Sequence, residues 1–111
     1  MYTKVWRDIY SGILAGVVDS DGIVWDSLVN PSCLGRVDRS GYVWNDRING
    51  DCVGRIDNNG DIWDSKYYGN YLGRVDNNCN VWSEKVNSSL AARVDGYMIR
   101  EAAVAALTLL R

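Results

Sequence analysis

The sequence predicts an all-β fold, a closed pseudo-fivefold ring of five β-hairpins followed by one C-terminal α-helix, and three observations lead there. Tryptophans Trp6, Trp25, Trp44, Trp63 and Trp82 recur every 19 residues, as do Asp19, Asp38, Asp57, Asp76 and Asp95. A fixed period held without insertion marks a repeat architecture. Each complete copy reads as two short β-rich runs around a turn, as in RVDRSGYVW over residues 36–44. The ends of the chain carry complementary half copies: residues 4–8 match only the second run of a repeat, and residues 90–95 only the first.

The turn chemistry justifies the hairpin. In Asp38, Arg39, Ser40 and Gly41 an Asp opens the turn and a Gly closes it. That is the pattern of a type I turn followed by a left-handed glycine, the three-residue hairpin loop. The loop length sets the register, placing Val37 opposite Val43 and Arg36 opposite Trp44. The same count pairs Ile56 with Ile62, Arg55 with Trp63, Val75 with Val81 and Arg74 with Trp82. Because side chains alternate, the aliphatic pairs share one face, read as the core, and the Arg–Trp pairs share the other. Cys79 occupies the glycine place of its turn, which predicts mild backbone strain there or a shift of the left-handed position to Asn77 or Asn78.

The half copies are expected to pair across the termini, Val94 against Val5 and Arg93 against Trp6. Joining the two ends hides the sheet edges that would otherwise invite aggregation. Between hairpins each connection carries an apolar residue at one phase: Tyr10, Val29, Ile48, Tyr67 and Val86. Two positions on stands Gly12, Pro31, Gly50, Gly69 or Ser88. These connections are expected to contribute a rim of the core.

After Asp95 the repeat breaks, dividing the chain into a 1–95 ring and a 96–111 tail within one domain. Residues 100–111, REAAVAALTLLR, are rich in Ala and Leu, the strongest helix formers. The segment is apolar nearly all round, so it must be buried. At roughly 17 Å by the helical rise it is too short to span a bilayer. Three placements fit: capping one mouth of the ring, packing along its side, or docking on a second copy of the chain.

Composition excludes several functions. There is no histidine, which removes Ser-His-Asp triads and His-based zinc sites. Net charge is −2 with both signs interspersed, which gives no electrostatic footprint for nucleic acid. The count of three cysteines is odd, arguing for a reduced, cytoplasmic chain over a disulfide framework. The first eight residues lack the apolar core of a secretory signal, and no stretch is long and apolar enough for a membrane span.

The candidate ligand-binding residues are the Arg–Trp pairs: Arg36 and Trp44, Arg55 and Trp63, Arg74 and Trp82, and Arg93 and Trp6. A guanidinium lying on an indole contributes ~0.5–1 kcal/mol when exposed, so the pairs have a purely structural reading, shielding the sheet. Repeated indoles beside Arg and Asp also suit stacking of saccharide rings, and that is the competing reading. Asp19, Asp21 and Asp57, Asp61 resemble fragments of calcium loops, but the bidentate carboxylate such a loop needs is missing at the required spacing. The turn accounts for these acids, so neither a metal nor a cofactor is expected. Nothing singles out a pair of acids for catalysis.

The repeat G-R-[VI]-D-x-x-G-x-[VI]-W resembles the hairpin repeats of bacterial β-flower domains, in which short hairpins surround a symmetry axis. The resemblance covers about residues 1–95 and implies a bacterial hairpin ring without implying an activity. A named relative is fourfold where this chain reads as fivefold. MORN and choline-binding repeats are more distant, and their glycine and aromatic spacings are not met. The sequence thus points to a non-enzymatic structural or interaction module that self-associates through its helix or binds a protein. The alternative is a small lectin-like protein reading a saccharide with its Arg–Trp face.

Overall fold

The structure, a computed structural model, describes residues 2–7, 12–83 and 89–111. The strands are β1 (Tyr2–Trp6), β2 (Leu14–Asp19), β3 (Ile23–Trp25), β4 (Cys33–Val37), β5 (Tyr42–Trp44), β6 (Cys52–Ile56), β7 (Asp61–Trp63), β8 (Tyr71–Val75), β9 (Asn80–Ser83) and β10 (Ser89–Asp95). One helix follows, α1 (Ile99–Leu107). The ten strands form a closed antiparallel barrel in which β1 sits between β2 and β10. The termini pair as expected, Val5 opposite Val94 and Trp6 opposite Arg93.

The register within hairpins follows the turn. Arg36 stands opposite Trp44 and Val37 opposite Val43, with Arg55–Trp63, Ile56–Ile62, Arg74–Trp82 and Val75–Val81 repeating the pattern. Gly41 takes φ 89° and its N–H donates to the Asp38 carbonyl at 3.1 Å, closing the turn. At the fourth turn Cys79 itself takes the left-handed position, φ 65°, and neither Asn77 nor Asn78 has a positive φ. The turn residue also joins neighbouring hairpins. Val37, Ile56, Val75 and Val94 donate their N–H groups to the carbonyls of Gly22, Gly41, Gly60 and Cys79 at 2.8–3.1 Å.

Between hairpins the register slips before each tryptophan. Trp44 pairs with Cys52 and Val43 with Gly54, leaving Val53 as the extra residue of a β-bulge. The same slip leaves Ala15, Leu34, Leu72 and Ala91 as extra residues elsewhere. A bulge bends its strand and raises the local twist, which is how a sheet of such short strands turns far enough to close. All five extra residues pack against the core.

The core is a set of inward aliphatic side chains wrapped around α1. Val5, Val18, Val24, Val43, Ile62 and Val81 are fully buried, and so are Ala102, Ala103, Val104 and Ala105 of the helix. The helix touches β1, β2, β4, β6, β8, β9 and β10. It therefore runs through the lumen of the barrel, neither along its side nor over its mouth. An all-round apolar surface meets an all-round apolar wall, and the Ala run keeps the helix thin enough to fit. Its start is held by Arg100, whose Nη2 donates to the carbonyls of Ile56 and Asp57 at 3.2 Å each. The Met98 N–H donates to Thr3 Oγ1 at 3.0 Å.

Glycines make room for the helix end. A methyl group built on Gly73, Gly54, Gly35 or Gly16 would lie 2.5–2.8 Å from Leu107, Thr108, Leu109 or Leu110 respectively. Four successive residues thus face four successive hairpins in reverse chain order. A regular α-helix advances about 100° per residue and would overshoot neighbouring hairpins. Here the last turn loosens, with Leu110 N–H reaching back five residues to the Ala105 carbonyl at 2.9 Å.

One expectation fails. Val29, Ile48 and Tyr67 do not line a rim of the core; they are 78, 77 and 71 % exposed. Each connection is closed at its base instead, as where Asn45 N–H donates to the Asp51 carbonyl at 3.1 Å and Asp51 N–H to Asn45 Oδ1 at 2.9 Å. That closure turns the apolar residue outward at the loop tip. The equivalent Tyr10, Val86 and Ser88 lie outside the described residues.

Candidate functional site

The turn aspartate organises the outer face. Asp38 Oδ1 accepts the N–H groups of Ser40 and Tyr42 at 2.9 and 3.0 Å, and its Oδ2 accepts the Trp44 indole N–H at 3.0 Å. The same three bonds recur at Asp19, Asp57 and Asp76. One carboxylate therefore shapes the turn and fixes the indole six residues on. Sequence reasoning assigned the first role and missed the second, although the constant Asp-to-Trp spacing in every complete copy was its signal. At the barrel closure the turn is interrupted, Asp95 is exposed, and the buried Trp6 Nε1 has no hydrogen-bond partner among the described residues.

The predicted Arg–Trp pairs are all formed. Guanidinium carbons of Arg36, Arg55, Arg74 and Arg93 lie 5.1, 5.2, 5.7 and 5.2 Å from the ring centres of Trp44, Trp63, Trp82 and Trp6. In the first hairpin Val17 replaces the arginine, and Arg47 from the neighbouring connection covers Trp25 at 5.7 Å. Trp44 also receives the Lys66 ammonium at 5.4 Å, which Tyr42 and Tyr67 approach at 5.4 and 5.6 Å. Arg55 additionally donates from Nη1 to the carbonyls of Ser65 and Tyr68 at 2.7 and 2.8 Å, clamping the connection it spans. The pairs stand one per hairpin around the outside of the barrel and do not converge on a single cleft. The tryptophans are half-buried, with the indole edge tied to an acid where the turn is complete and a cation over the face.

Two ionisable groups stand out. The Tyr71 hydroxyl is pushed up to about 12 by burial and by its hydrogen bond to Asp61, which accepts at 2.8 Å. Its ring meets Trp63 edge-on, centroids 5.2 Å apart. For Asp76, burial raises the carboxyl, but the bonds from Trp82, Asn80 and Asn78 and the Arg74 charge together outweigh it, so the net shift is downward. A carboxyl depressed on folding contributes stability above its unfolded value, about 3.9, and loses it as pH falls through the folded value. Asp76→Asn should therefore be less stable than the native chain at pH 7, and the gap should narrow by pH 3. Urea unfolding at the two pH values measures this; an unchanged gap would mean the carboxylate charge contributes nothing.

Among the described residues no three His, Cys, Asp or Glu side chains group closely enough to hold a metal ion, and no helix is long and apolar enough to cross a membrane. Cys33, Cys52 and Cys79 are free and half-buried. Comparison with protein-family models, with curated proteins and with solved structures finds no match for this chain, so its function is read from the geometry above.

Proposed function

We propose that this chain is a non-catalytic interaction module, a pseudo-fivefold ring of hairpins of the β-flower kind that presents its connections to a protein partner. The observation carrying this reading is the exposure of Val29, Ile48 and Tyr67 at one phase of successive connections. Leu28 and Tyr68 extend the apolar tips at 44 and 87 % exposure. Apolar side chains that the fold does not need, held outward by closed loops, are what a protein-binding surface offers. The polar groups support it from the other side, since Asp19, Asp38, Asp57 and Asp76 are engaged within their own hairpins and Arg55 with the connection that follows its hairpin. Self-association, where it occurs, would use these tips, because α1 is spent on the barrel's own core. The free cysteines favour a reducing, cytoplasmic setting.

Photo-cross-linking tests this in cells producing the chain. A cross-linker at position 48 should give adducts of defined mass, and one at Asn58, on the opposite turn, should not. Equal labelling at both positions, or none at 48, would remove the reading. The saccharide reading predicts differently for the tryptophans. With cations on their faces, the indoles should resist acrylamide quenching and ignore a panel of saccharides. Strong quenching that one saccharide relieves would instead favour the Arg–Trp face as the site.

A further inference from the structure

The barrel lumen is filled unevenly. At the bulge position three copies carry Leu34, Val53 and Leu72, while two carry Ala15 and Ala91. The two alanines are neighbours across the closure, since their strands β2 and β10 both flank β1. The helix does not make up the difference. Leu107 to Leu110 face the four glycines, while Ala106 lines the remaining sector together with Ala92, which stands in the fifth glycine place. Small side chains on wall and helix leave a cavity of about 200 Å3 that opens to solvent.

The lining determines what would fit. Val5, Ala15, Ala91, Ala106 and Leu110 offer methyl groups, and the one uncharged polar side chain among the described lining residues, Ser83, already donates its hydroxyl to the Ser89 carbonyl at 3.2 Å. A water among those methyl groups lacks the two to four partners it needs. An engineered apolar cavity of about 150 Å3 takes up benzene, so this one is of the right size for one ring or a short chain. Each alanine lacks the three carbons of a leucine, a deficit of about six carbons, as large-to-small changes leave in any core. Among the described residues the charged lining side chains are Arg7 and Arg111. In a chain of net charge −2 the described part of the lining is thus positively charged. A guanidinium binds a carboxylate through paired hydrogen bonds.

We propose that this cavity binds a small apolar carboxylate of about six carbons. Its hydrocarbon body lies among Ala15, Ala91 and Ala106, and its carboxylate meets Arg7 at the mouth. The site is separate from the connection tips and does not depend on them.

The full chain would be titrated with hexanoate and benzoate, and with hexanamide and benzamide as neutral isosteres. Calorimetry gives affinity, and amide NMR shifts at Ala91, Ala92 and Ala106 locate the site. Saturable binding of the carboxylates is expected with Kd on the order of millimolar or tighter. The amides, and the carboxylates on Arg7→Gln, should bind about tenfold more weakly, the scale of one charge-assisted contact. Ala15→Leu and Ala91→Leu restore what other copies carry and should abolish binding while the thermal transition is retained. Should one of them fail to fold, the other decides. Absence of saturable binding, or binding that survives a folded leucine variant, overturns the site. Unchanged affinity in Arg7→Gln overturns the assignment of a carboxylate.

Discussion

Gly73→Ala is expected to lower the unfolding free energy by about 3–5 kcal/mol, the sum of a strained backbone and an overpacked core. Gly73 has φ 154°, which alanine rarely adopts, and its new methyl group would collide with the Trp82 carbonyl oxygen. It would also stand 2.8 Å from Leu107 Cδ1 of the helix end. The carbonyl belongs to the paired strand and cannot move without breaking the ladder. The leucine cannot move without shifting the helix along the lumen. Gly12→Ala is the control, for its φ is 68° and nothing among the described residues lies within 4 Å of the added carbon. That change carries the backbone term alone, about 1–2 kcal/mol. Urea unfolding of the two variants separates the terms; equal losses would mean that close approach is not what position 73 requires.

Removal of residues 97–111 is expected to abolish cooperative folding. The helix brings Val104, Leu107 and Leu110 into the core at 0, 7 and 5 % exposure, with four buried alanines beside them. At about 2 kcal/mol for each large side chain the three supply roughly 6 kcal/mol before the alanines are counted. A domain of this size has a net stability of about 5–15 kcal/mol, so the loss consumes most of it. The inward valines of the wall would also face an open lumen. A thermal scan by circular dichroism should lose its transition, and a synthetic 97–111 peptide added in trans should restore it. A truncated chain that still melts cooperatively would mean that the hairpins close over a core of their own.

Much of this fold was legible in local chemistry. Asp at the start of a turn and Gly at its end specify a three-residue loop, and that loop fixes which side chains face each other. Hence Val37 and Val43 turn inward, Arg36 covers Trp44, and Val94 finds Val5 across the termini. The Arg–Trp pairs are legible for the same reason, being contacts between directly opposed residues. The Asp–Trp bond was missed because it depends on how far an indole swings across the finished turn. The connection tips were misread because an apolar residue was assigned to the core on hydrophobicity alone. The backbone closure that turns Ile48 outward acts between Asn45 and Asp51, and the apolar pattern carries no trace of it.

By itself the sequence determined the repeating hairpin, its register, the pairing of its two ends and the existence of a buried terminal helix. These follow from contacts between residues close in the chain or related by one fixed period. Only the tertiary structure decided where the helix goes. A segment apolar on every side is satisfied by any apolar surroundings, whether a mouth, a flank or a second copy. The choice of the lumen comes from a wall whose bulges and glycines hollow it to the width of an alanine-rich helix. That width is a property of the closed barrel, and no single repeat contains it.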